Sequence, residues 1–524
     1  MVAVTLTDVV TSDAARAAYD TAGLWDGSTL RARLDHWTRA GSQVVAVVDD
    51  SGRRRTYAQL DADATALAGQ LQSAGVAVGD VVSVQLPNRY EAVVAAAAIA
   101  KLGAVINTLL PGYRQRELAH VFRTAAPAAI VTPVSHRGFD FGPLVDDVRR
   151  STGHSLVHVT DDGLDGAPPS RFELGPPVEA RAVSELIFTS GTEAEPKAVM
   201  HTEQTTNFSV RTAYADLGMR PGDVVWMPSP VGHSTGFNYG LRMALYHGLT
   251  LVLQDQWDPG RAAELIQQEG CSYTLAATTF LKDLVDLGVA LPTMRLFGCG
   301  GAPVPPPLVD RASELGIGVL RLYGSTEVLV ATWNRADDPA AARRNTDGRP
   351  MSSVAVEVRD DSGRACRPGE VGEIFTRGPN TCVGFFRDEE RTGRTFAGGW
   401  VQSGDLAVID GDGFLTVASR KKEIIIRGGM NITPREVEDL LVDFPEVDRA
   451  AVVGLPDERL GERACACVVL APGSSLDLTT VVTRLRDLGL ATYKLPERLE
   501  VLSALPMTAS GKVQKHEIVK ALVP

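Results

Sequence analysis

The sequence predicts an α/β fold: a large N-terminal domain of mixed and parallel sheets with packed helices, followed by a small α+β C-terminal lid domain. Three observations carry this. Between about residue 43 and about residue 320, short β-branched runs alternate with helical spacing of apolar residues, the rhythm of βαβ units. After about Arg420 the pattern changes to a compact stretch of roughly 100 residues that can build its own core. At 524 residues, the chain is too long for one small module.

Taken in order, residues 44–48 read as a strand turned by Asp49-Asp50-Ser51-Gly52. Thr56 and Gln59 have the spacing of a capping box, ahead of a helix whose Leu60, Ala64, Leu67 and Leu71 share one face. A strand follows over 81–86, a helix over 90–101 and a strand over 129–132. Residues 92–100 form the most apolar run, but Lys101, Gly103 and Asn107 end it well short of the ~20 residues of a membrane span, so it reads as a buried helix. The Gly-, Pro- and Asp-rich stretch 161–178 reads as a surface loop. Beyond the boundary, a helix is expected over 434–444, strands over 450–453 and 465–470, a helix over 479–488 and a strand near Glu500. Domains are therefore expected at 1–419 and 420–524.

With 52 Lys plus Arg against 64 Asp plus Glu, the net charge of −12 lacks the broad positive field that nucleic acid or an anionic membrane requires. Any anionic ligand must be held locally. The six cysteines are scattered, with no C-x-x-C pair, which predicts neither a disulfide scaffold nor a zinc site and suits a reducing compartment. The first residues show no basic segment before an apolar stretch, so the expectation is a cytoplasmic protein.

The chemistry concentrates in five stretches. Leu186-Ile-Phe-Thr-Ser-Gly-Thr-Glu-Ala-Glu-Pro-Lys-Ala198 sets a hydroxyl- and glycine-rich loop after an apolar strand and closes it with a lysine, a combination that can cradle phosphate oxygens; the Walker spacing is absent. Tyr323-Gly-Ser-Thr-Glu327 ends in a carboxylate suited to a hard cation. Ser403-Gly404-Asp405 offers a carboxylate to ribose hydroxyls, the turn over 410–414 leads to Arg420, and Thr508-Ala-Ser-Gly-Lys512 places a lysine on a loop of the small domain. In this order and spacing, from Thr56-Tyr57 to Lys512, the chain resembles the adenylate-forming superfamily of acyl-CoA synthetases, carrier-protein adenylation domains and firefly-type luciferases.

That resemblance implies an AMP-forming acyl-CoA ligase using ATP, Mg2+ and coenzyme A on a small-molecule carboxylic acid. It implies that Thr189, Ser190, Gly191, Thr192 and Lys197 hold the ATP phosphates, that Tyr323 packs on adenine, that Thr326 meets the α-phosphate and that Glu327 binds magnesium. Asp405 and Arg420 would hold the ribose, and Lys512 would bridge the carboxylate and α-phosphate. Lys422 stands at the family's domain hinge. Gly428, Gly429 and Met430, with Asn431, would lie along the pantetheine arm of CoA, and the Gly-Gly-x-Asn-Ile-x-Pro pattern favours the CoA ligases. His233 stands where relatives have an aromatic or histidine gate near the reacting carboxylate. Ser234 replaces the aspartate of amino-acid-activating relatives, which argues against an α-amino acid, and Phe237, Gly300, Gly301 and Val328 suggest an apolar pocket for a hydrophobic acid.

The chain also departs from the family. Ala194 and Ala198 replace usual glycines, Glu193 and Glu195 add negative charge, Ser403 and Ser419 replace threonine and glycine, and Ser353 and Ala355 alter a Pro-Gly-x-Glu segment. A β-carbon where glycine bends the loop costs on the order of 1–2 kcal/mol. A thioesterification-only enzyme using preformed acyl-AMP is therefore one alternative, with Ala198 as its strongest argument. A carrier protein in place of CoA is another, and a non-catalytic binding protein on the same fold a third. Gly232-His-Ser-Thr-Gly236 matches a hydrolase nucleophile elbow at Ser234, with His247 or His516 as its only triad candidates, although Pro228 and Pro230 interrupt the strand such an elbow needs. His120, His136, His154 and His158 read as structural, and Cys465 and Cys467 as alternating across a strand. No nucleic-acid partner and no membrane span are expected, and self-association stays open.

Overall fold

A computed structural model describes residues 10–41, 43–166, 175, 178–189, 196–427, 430–457, 459–508 and 511–523. Its architecture is α/β. Six strands lie parallel in the order Val45–Val48, Thr250–Leu253, Val224–Met227, Tyr273–Ala276, Leu296–Gly300 and Val319–Ser325. Arg54–Thr56 closes one edge of this nine-stranded sheet, and Leu329–Trp333 with Arg349–Pro350 close the other, all antiparallel. A second sheet of six strands is parallel from Val157–Thr160 to Val183–Thr189, with Lys197–Thr202 antiparallel at its edge.

The helix Tyr90–Leu102 explains its own composition. Every residue but Ala100 is buried, and its alanines admit the close approach of the helix Tyr57–Ser73. The capping box at Thr56 and Gln59 opens that neighbouring helix as the sequence predicts. Among the described residues, no helix is long and apolar enough to cross a membrane.

A third, antiparallel sheet runs from Ala355–Arg359 to Leu415–Arg420. The next strand, Ile425–Arg427, belongs to a fourth sheet, so the change of sheet falls in the 3-10 turn Lys421–Glu423. Two apolar clusters, one on Val437, Leu441, Val468 and Leu485 and the other on Val453, Cys467 and Ile518, draw only on residues from Ile425 onward. The expected 450–453 and 465–470 strands are the middle of one long hairpin, Val447–Asp457 with Gly461–Leu470. Its ends carry Arg449, Asp457, Glu462 and Arg463, whose polarity hides them from an apolar pattern. Cys465 and Cys467 do not alternate across this strand. Two residues apart, they share a face, with their sulfurs 3.8 Å apart.

Candidate active site

The strand Val183–Thr189 ends at Thr189, whose Oγ1 is buried and finds no hydrogen-bond partner among the described residues. The chain returns on Lys197–Thr202, pairing Lys197 with Thr189 and Ala198 with Phe188. Ser190, Gly191 and Thr192, with Glu193, Ala194 and Glu195, lie outside the described residues. Lys197 Nζ reaches Glu327 Oε1 at 2.5 Å and stands 5.0 Å from the Phe385 ring.

Ala198 corrects one expectation. It lies in a regular antiparallel ladder, outside the left-handed region, and its methyl is buried in an apolar cluster with Phe188, Met200 and Phe386. A β-carbon here is packed rather than strained, so Ala198 no longer supports a thioesterification-only enzyme. Of the departures that lie among the described residues, Ser353 is the one that adopts a left-handed conformation, at φ 65°.

Tyr323, Thr326 and Glu327 sit where the strand Val319–Ser325 turns back into Leu329–Trp333. Gly324 has no room for a side chain, since a Cβ would stand 2.0 Å from Leu329 O. Leu329 takes up φ 53°, a backbone that a branched residue accepts only when its surroundings enforce it. Burial would raise the Glu327 carboxyl, but the charge and hydrogen bond of Lys197 hold it below its ordinary value. The Tyr323 hydroxyl donates to Asp405 Oδ2 at 2.8 Å, and Arg420 Nε lies 3.1 Å from Asp405 Oδ1, the two residues being directly paired across neighbouring strands. The Asp405 N–H donates to Ser403 Oγ at 3.0 Å, so serine serves here in place of threonine. Burial lifts the Asp405 carboxyl, opposed by Arg420 and Tyr323.

The loop of the small domain enters the same cleft. A Cβ on Gly301 would stand 3.2 Å from Lys512 Cε, so the absence of a side chain there makes room for the lysine stem. Gly511 packs as closely on Thr279. Burial lowers the Lys512 ammonium first and Arg420 second, while Asp405 and Glu327 act in the opposite sense. His233 accepts from Thr235 N at 3.2 Å, and burial with the Lys512 charge holds its imidazole down to about 4, hence neutral. Lys197, Tyr323, Thr326, Glu327, Asp405, Arg420, Gly301, His233 and Lys512 are thus gathered in one cleft.

The remaining expected residues lie apart or behind. Gly428 and Gly429 are outside the described residues, and Met430 is 43% exposed on the hairpin formed by Ile425–Arg427 and Met430–Ile432. Lys422 belongs to the turn Lys421–Glu423. Gly300 abuts Leu322, while Phe237 and Val328 are buried. The hydrolase reading fails on geometry: Ser234 Oγ faces Asn238 Nδ2 at 3.4 Å, His247 stacks on Tyr214, and His516 pairs with Glu517 on the surface.

Several residues escaped the sequence reading. Phe237–Arg242 forms a π-helical turn, of the kind that often marks functional sites. Its Arg242, 1% exposed, contacts Glu203 at 2.7 Å, Asn238 at 3.1 Å and Glu185 at 3.5 Å. Burial, opposed by Arg242 and Asn238, pushes the Glu185 carboxyl up to about 7. Tyr239, on the same turn, accepts from Val330 N at 2.8 Å, shares a 2.6 Å hydrogen bond with Ser209 Oγ and meets Trp333 edge-on at 5.8 Å. Trp333 in turn lies against Gly298, where a Cβ would stand 2.7 Å from the indole ring. These side chains become neighbours only through tertiary packing, so no local pattern announces them.

Comparison with known proteins agrees with this geometry. The model of the AMP-binding enzyme family matches residues 34–386, and that of the AMP-binding enzyme C-terminal domain matches residues 436–512. The medium-chain fatty-acid–CoA ligase of Escherichia coli (strain K12) is 36% identical, over 97% of this chain and 93% of its own. A salicylyl-CoA synthase / salicylate adenylyltransferase from Streptomyces is 34% identical, over 95% of each chain. The ATP-bound crystal structure of MatB from Rhodopseudomonas palustris superposes with a TM-score of 0.87 at 27% identity, over 95% of this chain and 99% of that one.

Proposed function

Since this chain belongs to the AMP-binding enzyme family, we infer that it is an AMP-forming acyl-CoA ligase whose acid is compact and apolar. In the first half-reaction a carboxylate oxygen bonds to the α-phosphorus of ATP, and the bond to pyrophosphate breaks with its electron pair leaving on pyrophosphate. In the second, the sulfur of CoA bonds to the acyl carbon, AMP departs, and the thiol proton passes to solvent. Two anions meet in the first step, so the site must supply positive charge where they meet.

The observation that carries this reading is the entry of Lys512, on the loop of the small domain, into the cleft beside Gly301, His233, Asp405 and Glu327. Its ammonium is placed to bridge the carboxylate and α-phosphate. Neutral His233 offers a hydrogen bond to the acid without a competing charge. Thr189, Ser190, Gly191, Thr192 and Lys197 line the phosphates, Thr326 meets the α-phosphate, and Tyr323 holds Asp405, which with Arg420 takes the ribose. Glu327 fits a magnesium ion: it is buried, ionised and already beside a cation, Lys197. Among the described residues no three His, Cys, Asp or Glu converge on a metal position, so phosphate oxygens would complete the shell. Bound there, magnesium supplies charge neutralisation to the departing pyrophosphate.

The acid enters between Phe237, Gly300, Gly301 and Val328. Tyr239, pinned at its hydroxyl, and Trp333, seated on Gly298, belong to the same buried cluster as Phe237 and Val328, and we assign them the far limit of the acid site, which favours a ring-bearing or short aliphatic acid over a long chain. Gly428, Gly429 and Met430 flank the CoA arm once the small domain, residues 420–524, turns about Lys422 relative to residues 1–419. CoA is the acceptor we assign, and the reducing cytoplasm the compartment, where six free cysteines are stable.

A panel of acids offered with ATP, Mg2+ and CoA, read by mass spectrometry, tests this. Acyl-CoA and AMP should form in equal amounts from ring-bearing or short acids, and Trp333→Ala should extend the range to longer ones. Preference of the wild type for long chains would defeat the size assignment.

A further inference from the structure

The turn carrying Thr326 and Glu327 has its carbonyls tied by buried residues. His201 Nε2 lies 2.7 Å from Thr326 O, Cys382 N donates to Glu327 O at 2.7 Å, and Asn380 Nδ2 donates to Val328 O at 2.5 Å and to Val330 O at 3.0 Å. His201 is fully buried on the strand Lys197–Thr202, four residues beyond Lys197 and so on the same face. Its other ring nitrogen stands 3.0 Å from Thr205 Oγ1. That hydroxyl is itself fixed, because Thr202 and Thr205 cap the helix Glu203–Asp216 reciprocally. A carbonyl only accepts, so the proton of the imidazole sits on Nε2; burial, which holds this ring down to about 4, keeps it neutral.

One strand therefore makes two ties to the turn, and they differ in kind. Lys197 binds the Glu327 carboxylate by charge, a contact that polyphosphate competes for. His201 binds the neighbouring backbone by a neutral hydrogen bond that no anion can claim. The turn needs such a tie, because Leu329 holds a left-handed backbone within it.

We propose that His201 is a positioning residue for adenylation: by holding the Thr326 carbonyl back, it keeps the Thr326 hydroxyl and Glu327 carboxylate facing the nucleotide when Lys197 moves to the phosphates. This rests on the function inferred above. Three proteins separate the outcomes: wild type, His201→Leu, and His201→Gln, whose amide N–H can reach the same carbonyl. Adenylation, followed by pyrophosphate exchange, should fall about tenfold in His201→Leu, the worth of one buried hydrogen bond, with KM for the acid unchanged. Calorimetric affinity for a non-hydrolysable ATP analogue with Mg2+ should weaken in parallel. Thioester formation from supplied acyl-AMP and CoA should fall far less, and His201→Gln should recover most of both losses. The inference is overturned if His201→Leu matches an active wild type, or if both half-reactions fall together and glutamine restores neither. A wild type that adenylates no acid has a different signature and overturns the functional reading itself.

Discussion

Lys512 is a cation on which burial and Arg420 act against the charge and Asp405 and Glu327 only partly offset them, so an anionic ligand in the cleft would stabilise it. Lys512→Ala should lower adenylation by about 10²–10³-fold, the usual size of a lost transition-state contact, while sparing thioester formation from acyl-AMP. Because its proton is held less firmly than that of an ordinary lysine, adenylation should decline with rising pH at a value below the usual 10.5, a limb that the second half-reaction lacks. Glu185 is the opposite case. Its carboxyl is raised from 4.5 to about 7 in the fold, so its stabilising contribution is complete below its unfolded value and is lost as pH rises through about 7. Glu185→Gln keeps an acceptor for Asn238 and should gain on wild type in denaturant midpoint between about pH 5 and about pH 8. A gain by wild type over that range would mean that Arg242 keeps Glu185 ionised.

At the scale of elements, the departures from the family sort by backbone. Ala198 sits in a ladder with a packed methyl, so Ala198→Gly should leave ATP-dependent turnover unchanged and cost about 1 kcal/mol of stability through strand entropy and a lost contact. Exposed Ser353 at φ 65° should instead gain about 0.5–1 kcal/mol as Ser353→Gly, read by thermal or denaturant unfolding. These contrasts mark what sequence could show. The cap marked the start of the helix Tyr57–Ser73, and the apolar pattern gave the helix Tyr90–Leu102 to within one residue, because local propensity and burial agree there. They missed the π-helical turn Phe237–Arg242, which is sustained by buried contacts from Glu185, Glu203 and Asn207 across the fold. A family glycine replaced by alanine looked alarming in one dimension; only the strand register shows it to be benign.

At the scale of the molecule, two lobes meet over the cleft through Lys282 and Asp448 at 2.7 Å, Arg449 and Asp283 at 3.8 Å, and Arg435 on Val417 O at 2.6 Å. The two ion pairs among these are partly exposed and worth at most about 1 kcal/mol each, which is compatible with the domain rotation proposed above. Lys282→Glu should slow adenylation by no more than about fivefold, and Asp448→Lys in the same chain should restore it, if this pairing belongs to the adenylating arrangement. The motifs marked most of the cleft in advance because each is a short run with a chemical reason for its spacing. His201, Asn380 and Arg242 stayed hidden because their partners lie over a hundred, about fifty and about forty to sixty residues away, distances at which sequence carries no periodic signal. The measurement that bears most directly on the whole account follows two assays with wild type and Lys512→Ala: acid, ATP, Mg2+ and CoA in one, acyl-AMP and CoA in the other. The account predicts acyl-CoA from wild type in both, and from the variant at the wild-type level only in the second. Undiminished product from the variant in the first assay would contradict it.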